Sequence, residues 1–153
     1  MPIENIEHKQ RQGRLFYDKL SKELNPKHKL YKLKELINWP ELEAQVEQIV
    51  NVQELGRQRK SLRVMLGMSM LQAMFNFSDC LTSETFEENV YWKYFCGYEY
   101  VDTKLSISES AIRRFPQELG ERGHNLILKE LIRVGLRVGA YKKKIWTWID
   151  TTV

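Results

Sequence analysis

Residues 61–75 read SLRVMLGMSMLQAMF, a run that is apolar on nearly every side of a helix. Its polar positions Ser69 and Gln72, continued by Asn76 just past its end, recur at spacings of three and four and line one thin stripe. A helix with so little of its circumference in water is the central member of a bundle. This stretch therefore predicts a mostly α fold, a helical bundle built around residues 61–75.

Towards the N-terminus, Asn38-Trp39-Pro40 predicts a helix start with proline in the first turn, where its missing N–H costs nothing, and Leu42, Val46 and Ile49 form the buried stripe. Residues 3–24 place Phe16, Leu20 and Leu24 at four-residue spacing amid heavy charge, as in an exposed amphipathic helix ended by Asn25-Pro26. In the other direction Ser78 can cap a helix running to about Asn89, with Asp79 favourable against its dipole. A shorter helical piece then carries Tyr91, Trp92, Tyr94 and Phe95, and residues 97–107 read as irregular. Ser108 caps a short helix through Phe115, which Pro116 should kink or end by removing a donor and striking the preceding turn. A last long helix from Arg122 to Val138 turns Ile127, Leu131, Val134 and Val138 inward. Finally Ile145–Val153, IWTWIDTTV, is β-branched and aromatic without Gly or Pro, and predicts a strand with Asp150 near its far end. A carboxylate on a buried strand points to a ligand; at a frayed end it would be solvated.

With 153 residues, 42% of them apolar, the chain can bury one genuine core. Lys and Arg number 24 against 20 Asp and Glu, a net charge of +4 that permits a nucleic-acid partner without demanding one. Acidic residues gather at Glu41, Glu43 and Glu47 and at Glu84, Glu87 and Glu88, and basic ones at Arg57–Arg63, Arg113-Arg114, Arg133-Arg137 and Lys142–Lys144. Cys80 and Cys96 form no CxxC motif and read as a reduced intracellular pair. His8, His28 and His124 share no metal-ligand spacing. There is no signal peptide, and polar residues interrupt the longest apolar run, so a soluble cytoplasmic protein with no membrane contact is expected.

Arg57, Arg59, Lys60 and Arg63 precede and enter the central helix, where free N–H groups and basic side chains can hold phosphates; a solvated loop would look the same. Arg113 and Arg114 lie on the helix that would read bases in a helix-turn-helix arrangement. Lys129, Arg133 and Arg137 fall four apart opposite the apolar stripe and read as a solvated face. The aromatic block at 91–95 could stack on bases, but its density beside Phe75 and Phe77 favours a core role.

The order of these pieces resembles bacterial DDE transposases of the insertion-sequence-five (InsH-like) group. It runs from Leu33–Glu43 (LKELINWPELE) and Gly56-Arg57 to Leu62–Gly67, Phe77-Ser78-Asp79 and Glu88–Gly97 (ENVYWKYFCG), then to Ser110–Phe115 with Leu119-Gly120 and Ile149–Val153 (IDTTV). The chain has Gln58 and Ser61 where that family has proline, and Pro116 where it has a basic or polar residue. The resemblance implies an N-terminal helical extension over 1–26, a helix-turn-helix-like DNA-binding domain over 27–140, and over 141–153 the first strand of an RNase H-like α/β catalytic domain, truncated after its first catalytic residue. Asp150 would be the first of three carboxylates that hold two Mg²⁺ ions for DNA strand cleavage and transfer. One carboxylate cannot hold the pair, so this chain alone is expected to be inactive and to need no cofactor. The implied partner is double-stranded DNA at the element's terminal inverted repeats, in the bacterial cytoplasm near the nucleoid, with self-association or a downstream transposase half as further partners. The competing readings are a non-enzymatic transposase-derived regulator and an inactive remnant.

Overall fold

Among the residues that the computed structural model describes, 18–50, 61–101 and 106–138, the chain is helical and carries no strand. In chain order the helices are α1 (Leu20–Glu23), α2 (Lys29–Leu36), α3 (Trp39–Glu47), α4 (Leu62–Phe75), α5 (Asp79–Glu88), α6 (Val90–Phe95) and α7 (Glu109–Arg137). The strand expected at 145–153 lies outside the described residues, as does the first part of the helix expected over 3–24.

The apolar stretch becomes the central helix for the reason its composition implies. Val64–Met68, Met70 and Leu71 of α4 are all buried, and α3, α5, α6 and α7 pack around it. Gly67 lets α6 approach closely: a Cβ there would stand 2.8 Å from the sulfur of buried Cys96. At its end Asn76 takes left-handed backbone angles (φ 53°, ψ 47°), which asparagine tolerates better than most residues. The last turn emerges from the core, leaving Met74 and Phe75 exposed, though Phe75 still lies against Phe77 and Trp92 at ring separations of 5.5 Å.

Local signals set the other boundaries. Pro40 sits in the first turn of α3, and Leu42 and Val46 are buried, while Ile49 falls past the helix end and is only half-buried. Ser78 Oγ accepts from the Leu81 N–H at 3.2 Å to start α5, and Asn89 Oδ1 accepts from Tyr91 N–H at 2.9 Å to start α6. Trp92, Tyr94 and Phe95 are buried and Tyr91 is half-buried, so the aromatic block is core.

Three expectations need correction. Helix α2 was not read from the sequence, although Leu30, Leu33 and Leu36 carry its inward face between lysines. Within 18–24 the chain is not an exposed continuous helix: α1 has only 4 residues, Leu20 and Leu24 are buried with Tyr94, and the Leu20 N–H donates to Glu99 O at 2.8 Å. Pro116 does not end its helix. The backbone of α7 stays helical through Leu119 and breaks at Gly120 (φ 60°, ψ −173°), which divides it into arms over 109–119 and 121–137. Only glycine visits that backbone region readily, so the break falls where the side chain is missing.

Candidate nucleic-acid interface

The first arm of α7 is amphipathic in a way its sequence dictates. Ser108 Oγ caps it by accepting from the Ala111 N–H at 3.3 Å, and Ile112, Phe115 and Leu119 are buried against the bundle. Ser110, Arg113, Arg114 and Gln117 are left exposed, at the spacing of one outer face. All four side chains can hydrogen-bond, and two carry positive charge.

Arg113 is held in place. Its Nε donates to Asp79 Oδ2 at 3.2 Å, and Nη2 lies 4.0 Å from Glu109 Oε2. Asp79 is itself fixed from behind, because Gln72 Nε2 donates to its Oδ1 at 2.8 Å and also reaches Phe77 O at 3.2 Å. Arg114 is tied only to its own helix, Nε donating to Ser110 O at 3.2 Å.

The arrangement of turns differs from a tight helix-turn-helix ending in this arm. A three-residue joint, Asn76–Ser78, connects α4 to α5, but the exposed residues of α5 include Glu84, Glu87 and Glu88, which would repel phosphate. The arginine-bearing arm is separated from α6 by residues 96–108, far more than the three or four residues of such a turn.

Arg63 is turned into the molecule. Its guanidinium carbon sits 3.1 Å from the centre of the Trp39 ring, Nη2 donates to Phe95 O at 2.6 Å, and Nε lies 3.8 Å from Glu43 Oε1. Burial pulls its pKa from 12.5 down to about 10, with Glu43 offsetting part of that cost. The side chain joins α3, α4 and α6. Burial also pushes the Cys96 thiol up to about 12, which leaves no nucleophilic thiolate there. Arg57, Arg59, Lys60 and Asp150 lie outside the described residues.

Sequence reasoning missed a second clamp. Arg133, read as part of a solvated face, grips Glu130 through Nε at 3.0 Å and Nη2 at 2.6 Å, and Nη2 also donates to Leu36 O at 3.1 Å. Glu130 Oε1 accepts from the Asn38 N–H at 2.9 Å, so the pair closes the end of α2 and the start of α3 onto the second arm of α7. The hydrogen bonds from Arg133, more than opposing burial, hold the Glu130 carboxyl below its usual range. The i,i+3 spacing of Glu130 and Arg133 was the available signal.

Among the described residues no three His, Cys, Asp or Glu side chains converge as a metal ion would require. The described residues therefore do not form a Mg²⁺ site. His28 stacks on Tyr91 at 3.7 Å while its Nδ1 accepts from the Leu30 N–H, and His124 Nδ1 lies 2.6 Å from Gly120 O. No helix among the described residues is long and apolar enough to cross a membrane.

The first arm of α7 thus turns outward a polar face in which Arg113 and Arg114 are flanked by exposed Glu109 and Glu118. The family described as Transposase domain (DUF772) matches residues 18–118, from α1 through the first arm of α7, and the chain belongs to that family. It is also 28% identical over 141 residues to an uncharacterized protein, ORF8 in the nfe locus of Rhizobium meliloti, an alignment covering 91% of this chain and 67% of the relative. No solved structure matches.

Proposed function

We propose that this chain is the DNA-binding part of a DDE transposase of the InsH-like group and recognises the ends of its element. The observation that carries the reading is the outer face of the first arm of α7, with Ser110, Arg113, Arg114 and Gln117 exposed inside the region matched by the transposase-domain family. Arginine is the residue best shaped to grip guanine O6 and N7 with two donors, and serine and glutamine add donors and acceptors for other base edges. Arg57, Arg59 and Lys60, just ahead of α4, would hold backbone phosphates. Arg63 serves that surface indirectly, by fixing α4 against α3 and α6.

In the same reading Asp150 is the first metal-binding carboxylate of the family's catalytic set, and Mg²⁺ chemistry would need further carboxylates beside it. The binding reading is tested by titrating duplex DNA with the purified chain at several salt concentrations. Affinity should fall with salt on a log–log slope of roughly a few phosphates, as counterions are released. Arg113→Ala and Arg114→Ala should each weaken binding, and salt-independent or absent binding to duplex would reject the proposal.

A further inference from the structure

We propose that Asp79 is a positioning residue for DNA reading: it holds Arg113 by one edge of the guanidinium and so presents the other edge to a base. The inference rests on the DNA-binding function proposed above and goes one step deeper. An exposed arginine on a helix samples many rotamers, and freezing it on a ligand costs entropy. Here a partner on the protein already restricts that motion. Asp79 Oδ2 takes the Nε hydrogen at 3.2 Å, which leaves the edge bearing the two terminal nitrogens available for a bidentate contact with guanine. The carboxylate is the inner partner, its side chain 30% exposed against 63% for Arg113.

Asp79 is in turn immobilised from α4. Gln72, on the thin polar stripe of that otherwise apolar helix, spends its amide on Asp79 Oδ1 at 2.8 Å and on Phe77 O at 3.2 Å. The relay Gln72–Asp79–Arg113 thus runs from the most buried helix of the bundle to its outer face. Glu109 lies farther off, 4.0 Å from Nη2, and is too loose to set the angle. Asp79 also sits in the first turn of α5, where any acidic residue helps the helix dipole. A purely structural role of that kind makes a different prediction from the positioning role.

The test uses the intact chain and two probes: a duplex enriched by the unmutated chain from a random-sequence pool, and a scrambled duplex of equal composition. Asp79→Asn should lose about tenfold affinity for the enriched duplex. It should bind the scrambled duplex as well as before or better, because one negative charge near phosphate is gone. Gln72→Leu, which leaves the carboxylate but removes its anchor, should lose preference in the same direction. Arg113→Lys should lose it too, and Asp79→Asn should add no further loss in an Arg113→Ala background. A structural role would lower the melting temperature and weaken both duplexes alike. That result, or an unchanged ratio in Asp79→Asn, would overturn the proposal. If no duplex is enriched by the unmutated chain, the DNA-recognition reading itself fails and this inference falls with it.

Discussion

Arg63 shows how a charge cluster read along a sequence can divide once the chain folds. Its guanidinium lies over Trp39 and donates to the Phe95 carbonyl, so removing it strips a cation–π contact and orphans a buried acceptor. Arg63→Ala should cost about 2–4 kcal/mol of unfolding free energy in a denaturant titration. Arg63→Lys should recover little, because an ammonium cannot lie flat on the indole and also reach the carbonyl. Glu130 supports a pH prediction of stated sign. Its carboxyl is depressed below the ordinary value of 4.5, so its contribution is complete above that value and is lost as pH falls through the depressed one. Replacing Glu130 by Gln should flatten the acid limb of a stability-versus-pH curve, and an identical limb would argue against the clamp. The role of Arg63 was not legible in the sequence, and of the Glu130 clamp only the i,i+3 pair was, because Phe95 O, Leu36 O and the Asn38 N–H are brought within reach by distant parts of the fold. The exposure of Arg113 and Arg114 was legible, since Ile112, Phe115 and Leu119 mark the buried side of their helix.

At the scale of elements, the sequence located those whose signals are local. The apolar span 61–75, the caps Ser78 and Ser108 and the proline of α3 each act within a turn or two. Helix α2 escaped because its outward lysines dominate its composition and its leucines find their partner only in α6 and the core. The break in α7 was assigned to Pro116, whose effect on the ladder is real but does not stop the helix, whereas Gly120 supplies a backbone region that other residues enter at a cost. Gly120→Ala should therefore lower stability by about 1–3 kcal/mol, measured by thermal or denaturant melting, even though open space surrounds its Cβ position. No loss would mean that the two arms can straighten without penalty. Ser108→Ala should cost about 1 kcal/mol through the lost cap of the first arm of α7.

For the whole molecule, the proposed DNA-binding function rests on membership of the transposase-domain family and on the exposed Arg113 and Arg114 of α7. On the proposed reading Asp150 is one of three carboxylates that together hold the metal pair, so the purified chain in Mg²⁺ should neither cleave nor join DNA strands, and Asp150→Asn should leave its DNA affinity unchanged. Strand transfer by this chain would contradict that part of the account. The central claim, that the bundle recognises a particular duplex rather than DNA in general, is tested most directly by repeated selection from a random-sequence pool at physiological salt. The account predicts that one sequence rises through the rounds with the unmutated chain and fails to rise with the Arg113→Ala, Arg114→Ala double variant. A pool that stays random with the unmutated chain would contradict it.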